Sequence, residues 1–312
     1  MEELNDVLGL GKVSREILER SVFPFLPLFV TPELDGGTIQ HQGRMVIAHS
    51  PSIGVPLEAL AFFAFHYAAS NVAARLARPK HMVIGIYLPL ETREGDLRTI
   101  AKGLGEEAAK YGVTIVAGQT ATYAGIEIPL LTATCLGEEL KQPRRPAAGD
   151  VVFVVGGVGG EAVWLKSLSE GKRSEVWRSF TPLPMILRLH DVAGVTLMHD
   201  VSEGGVKKAL HEVATALGLR LEVESGGFHF VEGVEELGED PLRLPTYGSV
   251  VALVDPDEGD EVQRACGELG VPCALVGVFR EGEGLYVDGV RVKDLKRIDL
   301  DKLYGTFKGD RH

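Results

Sequence analysis

The segment His199-Asp200-Val201-Ser202-Glu203-Gly204-Gly205 puts a carboxylate, a hydroxyl and two adjacent glycines between a strand-like run and a strongly amphipathic helical stretch. Paired glycines at a helix start leave backbone N–H groups open to an anion. Strand alternation places Asp200 on one side with Met198 and Thr196, and His199 on the other with Leu197 and Val201. Asp200 or Ser202 serves equally well as a helix cap. Cap and ligand site therefore stand as two readings of this segment.

Three further places carry polar chemistry. Gly118-Gln119-Thr120 ends the strand-like run VTIVAG, where a chain leaving a sheet meets ligands. Ser70-Asn71 sits inside an alanine-rich apolar helix, where polar groups cost stability unless hydrogen-bonded. Gly157, Gly159 and Ala162 match G-x-G-x-x-A, the dinucleotide fingerprint, after the run VVFVV. That fingerprint requires a second parallel strand ending in an acidic residue about 20 residues on. Here the region reads SEGKRSEVWRSFTPLP, so the glycines are read as a tight structural turn. The Walker pattern G-x-x-x-x-G-K-[ST], G-x-S-x-G and H-E-x-x-H do not occur, and the nine histidines show no ligand spacing. Strand parity points His49 and His199 away from Ser50 and Asp200.

These residues need elements to position them. Strand-like runs fall at 45–49, 82–88, 113–118 and 126–135, with helical segments at 57–78 and about 96–111. After the proline- and arginine-rich stretch KQPRRPAAGD at 141–150, strands are expected at 151–155, 195–201, 219–224, 249–254, 273–278 and 285–292. Helices fit at 160–170, 183–193, 206–217 and 257–269. The stretch 206–217 has one continuous stripe of Val206, Ala209, Leu210, Val213, Ala214 and Leu217. Strands and helices mix without strict βαβα alternation, so the fold class is α+β, with two domains over 1–145 and 146–312. Each domain is expected to be a mixed sheet with helices packed on one face.

Composition narrows the function classes. The 312 residues carry a net charge of −12, with 45% hydrophobic and 24% charged residues, the profile of a packed protein. The acidic balance argues against a dedicated nucleic-acid binder. Three cysteines at 135, 266 and 273 make neither a disulfide framework nor a zinc ribbon, and point to a reducing cytoplasm. The N-terminal residues have no signal-peptide pattern, and the apolar stretch at 57–78 is interrupted by Glu58 and His66, so no membrane span is expected. Asn occurs only twice, at 5 and 71, a bias that fits a thermophile.

In their order, six segments resemble the aminoimidazole ribonucleotide (AIR) synthetase superfamily, a PurM-like fold, and within it the hydrogenase-maturation (HypE-like) branch. They are GKVSREILERSVFPFL (11–26), KGLGEEAAKYGVTIVAGQT (102–120), AGDVVFVVGGVGGEA (148–162), LMHDVSEGGVKKALHEVA (197–214), TYGSVVALVDP (246–256) and CALVGVF (273–279). The resemblance implies a homodimer of two-domain subunits that hold ATP with carboxylate-bound Mg²⁺. It also implies phosphorylation of an amide or carbonyl oxygen of a small substrate, and contact with a maturation partner protein.

The residues carried over by this resemblance are partly neutral. The family's acidic loop aligns with Glu33-Leu34-Asp35-Gly36-Gly37, which keeps Asp35, and the second-domain carboxylate is Asp200. Ser50 stands where the family has Asp, Asn71 replaces the Asp of an Asn-Asp pair, and Gln119 replaces that of Gly-Asp-Thr. Each carboxylate contributes roughly 4 kcal/mol of gross attraction per unit charge at about 4 Å and an effective dielectric of about 20, so losing three weakens a metal site severely. The hydrogenase-maturation members end in Pro-Arg-Ile-Cys, whereas this sequence ends Lys308-Gly309-Asp310-Arg311-His312. The expected nucleotide site is therefore Asp35, Ser50, Asn71, Gln119, Thr120, Asp200, Gly204 and Gly205, with Asp35 and Asp200 on Mg²⁺. The competing expectation is a non-catalytic paralogue serving as a regulatory or scaffold protein.

Overall fold

A computed structural model describes residues 11–12, 15–27, 42–202, 204–293 and 295. Asp35, and with it the acidic loop 33–37, lies outside the described residues, as does Glu203. Contacts divide the chain into two units: residues up to 72 with 77–140, and residues 73–76 with those from 141 onward.

In the first unit the described strands are β1 (Gly11–Lys12), β2 (Met45–Ile53), β3 (Ala77–Leu88), β4 (Thr114–Thr122) and β5 (Leu130–Glu139), in the order β1-β4-β3-β5-β2. The helices are α1 (Arg15–Ser21), α2 (Leu57–Ala74) and α3 (Glu94–Tyr111). Register fixes which residues share a face. Ser50, Ala133, Ile84 and Gly118 form one row across the sheet, and Pro51, Thr132, Gly85 and Gln119 the next. Met82, Ile84, Ile86, Leu131, Ala133 and Cys135 are buried on the side where α2 packs, and a Cβ on Gly137 would run into Val72 of that helix. On the opposite side Ile47 and Ile53 remain 62% and 51% exposed, so that face is open in the isolated chain. The helix expected over 57–78 ends at Ala74, because Leu76 turns the chain at φ +56° and Ala77 already begins β3.

In the second unit the strands are β6 (Val151–Val155), β7 (Val195–Asp200), β8 (Arg220–Val223), β9 (Val250–Val254), β10 (Cys273–Arg280), β11 (Gly284–Val287) and β12 (Val290–Arg291). Their order is β12-β11-β8-β10-β6-β9-β7, which leaves β7 at an edge. The helices are α4 (Gly160–Ser169), α5 (Leu183–Leu189), α6 (Gly205–Leu217) and α7 (Gly259–Leu269). The apolar stripe of α6 packs Val206, Leu210 and Val213 against Val152, Val154, Val251 and Leu253. Successive strand residues face opposite ways, so Phe153 lies on the other side, where Gly259 at the start of α7 approaches it. All five residues of β9 are buried. The one-face arrangement thus describes the first sheet, while the second has helix against both faces near its middle.

Candidate functional site

Gly156-Gly157-Val158-Gly159 forms the turn from β6 into α4, and its backbone is already hydrogen-bonded within the unit. Gly156 N–H donates to Pro272 O at 2.9 Å, Val158 N–H to His229 O at 2.8 Å and Gly159 N–H to Thr246 Oγ1 at 3.0 Å. Gly156 and Gly159 hold φ of +105° and +87°, which favours glycine. Glu161 Oε2 accepts from the Tyr247 amide at 2.7 Å. With those amides occupied, the loop is a structural turn, as the missing second strand indicated.

The 199–205 segment is built differently. Asp200 ends edge strand β7, and α6 begins at Gly205 with Gly204 as its N-cap and no side chain hydrogen-bonding into the cap. The reading of Asp200 or Ser202 as that cap is not what the fold adopts. Gly205 has φ +67°, and a Cβ there would come 2.6 Å from the backbone of Leu242 and Arg243. Its amide donates to Ser202 O at 2.9 Å. Of the two glycine amides expected to meet an anion, Gly205's is therefore already bonded, and its glycine is required by close packing.

Asp200 itself is the unusual group. Burial raises its carboxyl above the ordinary range, the adjacent His199 opposes that rise, and Glu212 adds to it. His199 faces α6, where its Nε2 lies 3.1 Å from Glu212 Oε2, yet its Nδ1 comes within 3.6 Å of Asp200 Oδ1. Strand parity placed His199 away from Asp200. At the last residue of an edge strand no further strand separates the two sides, and ring and carboxylate reach round the margin. The partner Glu212 was not singled out from sequence. Its signal was its place on α6 outside the apolar stripe.

In the first unit the expected residues separate. Asn71 Nδ2 donates to Ser50 Oγ at 3.5 Å, beneath the C-terminal part of α2. Gln119 occupies the row of Thr132 and Gly85, on the opposite face of the sheet from Ser50. Thr120 shares the face of Ser50 but lies three strands away, about 14 Å at the usual strand spacing. Gly118-Gln119-Thr120 lies within β4, which continues to Thr122, rather than in a loop after it. His49 points away from Ser50, as parity required, with its Nδ1 2.8 Å from Thr134 Oγ1. Among the described residues no group of three or more His, Cys, Asp or Glu side chains is placed to hold a metal ion. Magnesium characteristically takes one or two carboxylates and completes its shell with phosphate and water oxygens, so Asp200 alone fits only that sparse mode. No described helix is long and apolar enough to cross a membrane.

Comparison with known proteins agrees with this architecture. Residues 41–138 match the model of the AIR synthase related protein, N-terminal domain, and residues 147–290 that of the C-terminal domain. The chain is similar to carbamoyl dehydratase HypE of Escherichia coli, 29% identical over 241 residues covering 71% of this chain and 70% of that one. It is also similar to thiamine-monophosphate kinase of Pyrococcus horikoshii, 27% identical over 232 residues covering 70% of each. Among solved structures, hydrogenase maturation protein HypE in complex with ATP superposes with a TM-score of 0.78 at 19% identity, over 94% of this chain and 99% of that one. Matched in order by both domain models and sharing that two-domain PurM-like fold, the chain belongs to the AIR synthase related family.

Proposed function

We propose that this protein binds ATP and transfers a phosphoryl group to an amide or carbonyl oxygen of a small substrate, making that oxygen a leaving group. The observation that supports this most is Asp200, a largely buried carboxylate at the end of β7 that caps no helix. It stands in a chain similar to a carbamoyl dehydratase and a thiamine-monophosphate kinase, with the fold of a HypE captured with ATP. In this reading Asp200 and Asp35 hold Mg²⁺ together with phosphate oxygens. The ion neutralises triphosphate charge. Of the first-unit residues, which do not converge, the Ser50–Asn71 pair orients phosphate or water, and the Gly204 amide meets an anion.

A second reading has its own support. Asn71 and Ser50 hydrogen-bond each other, the behaviour of neutral groups that satisfy one another without a cation. A non-catalytic paralogue with a regulatory or scaffold role would keep such a pair. Calorimetric titration of ATP with and without Mg²⁺ separates the two. The enzyme reading expects magnesium-dependent micromolar binding that weakens at least tenfold in Asp200→Asn. Heats equal to buffer in every titration favour the scaffold.

We also read the chain as a homodimer. The open face of the first sheet presents Ile47 and Ile53 with little charge between them, which suits a second copy of the same face better than a charged partner. Sedimentation velocity should give a dimer for the native chain and a monomer for Ile47→Glu/Ile53→Glu. A native monomer at micromolar concentration would overturn this.

A further inference from the structure

Two of the three cysteines lie close together in the second unit, at the junction of α7 and β10. Cys266 lies in the last turn of α7, and Cys273 is the first residue of β10. The connection is a tight reversal: Gly270, at φ +65°, sends its amide back to the carbonyls of Cys266 and Gly267, and the Val271 amide also donates to Cys266 O at 3.1 Å. Cys273 pairs with Val155 of β6 and so lies on the Phe153 side of the sheet, the side that α7 covers. Cys266 belongs to the buried stripe of α7 with Val262 and Ala265, so both side chains face the layer between α7 and the sheet, seven positions apart across one turn.

Their surroundings differ in a useful way. The Cys273 thiol supports the Cys266 sulfur, and the Arg188 guanidinium on α5 adds positive charge beside it, so Cys266 is held below the ordinary thiol range and Cys273 above it. Arg188 is fixed there by Glu268, 2.8 Å away on α7. Cys266 is buried, whereas Cys273 is partly exposed and opens a side for a small oxidant. Cys135, in contrast, is fully buried in β5, and burial pushes its thiol up to about 12.

We propose that Cys266 and Cys273 form a reversible redox pair that closes into an intrachain disulfide when a peroxide oxidises it. The Cys266 thiolate attacks one oxygen of hydrogen peroxide, the O–O bond breaks, and the departing hydroxide takes a proton to become water. The Cys273 sulfur then attacks the sulfenic sulfur. The S–S bond forms as the S–O bond breaks, and the hydroxyl leaves as a second water with the Cys273 proton. The two thiols give up two electrons, and the peroxide is reduced to two waters. A dithiol reductant reverses the bond by exchange. Closure ties the end of α7 to β10 beside the turn where Gly156 donates to Pro272.

The test treats the purified full chain with hydrogen peroxide and follows free thiols and intact mass. Two of the three thiols should disappear, the mass should fall by two hydrogen atoms, and proteolytic mapping should link residues 266 and 273. Cys135 should remain available to alkylation after denaturation, and dithiothreitol should restore all three thiols. Cys273→Ser should lose no hydrogens and should gain oxygen at Cys266 instead. Three surviving thiols in the native chain, oxygen added without a link, or a link between two chains would each overturn the proposal. Because the native chain alone decides among these, a variant that fails to fold leaves the test intact.

Discussion

Glu94 and Asp200 are both acidic side chains held largely out of water, one in each unit, and they are treated in opposite ways. Glu94, in the first turn of α3, receives Arg20 through Nε at 2.8 Å and Nη2 at 2.6 Å and also accepts from the Ser21 hydroxyl. The Arg20 hydrogen bonds lead in holding its carboxyl down at about 2, against the opposing pull of burial. Asp200 has His199 at 3.6 Å and no comparable set among the described residues, and burial pushes its carboxyl up. A carboxylate that serves the fold is saturated with donors. One left short of them carries a desolvation cost that a bound cation or a ligand donor would relieve.

The largest stability change should come from Glu94→Gln, which removes the charge that Arg20 and Ser21 hydrogen-bond at a fully buried position. Urea unfolding should show a loss of about 3 kcal/mol. The depressed carboxyl contributes stability that is full above pH 4.5 and is lost as pH falls toward about 2, so the variant should lose much of the native chain's acid sensitivity in that window. Equal acid sensitivity in both chains would break the assignment of Glu94 as the structural member of the comparison.

Next in size is Gly205→Ala, expected to cost about 2 kcal/mol because it combines a positive φ with backbone contact. The control is Gly218→Ala, at φ +66° with open space around it, where about 1 kcal/mol is expected from conformation alone. Similar costs at both positions would remove the packing argument and leave the positive φ alone as the reason for glycine at 205.

A smaller effect is expected at His66, which is fully buried with Nε2 2.9 Å from Glu107. Burial lowers its pKa below 6.5, so the unfolded chain takes up a proton more readily than the native one. Stability is therefore full above pH 6.5 and declines as pH falls below it, and His66→Gln should flatten that decline by about 1 kcal/mol in pH-dependent thermal unfolding. Smallest on stability is Asp200→Asn, expected to stay within about 1 kcal/mol of the native chain even while it weakens ATP binding. A loss as large as that of Glu94→Gln would make Asp200 a structural carboxylate and end the contrast.

Local pattern made much of the fold legible. The stripe Val206, Ala209, Leu210, Val213 places α6 to within one residue, since a 3.6-residue period fits only a helix with one buried side. VVFVV is β6 as read. Boundaries were less legible where the end depends on partners: β4 continues through Gly118-Gln119-Thr120 because β3 offers it hydrogen bonds as far as Leu88. The candidate site was legible as a set of residue types and not as a constellation. Register alone puts Gln119 and Ser50 on opposite faces, and no local rule reports the register of four strands.

What the sequence determined by itself was the inventory of elements, the family resemblance and the loss of charge at positions 50, 71 and 119, because these are properties of residue type and short-range order. What only tertiary structure decided was which donors each acid receives. Glu94 meets Arg20 across 74 positions of chain, and Glu161 accepts from the Tyr247 amide across 86. Such partners are chosen by how sheets and helices pack, and packing depends on contacts far apart in the chain.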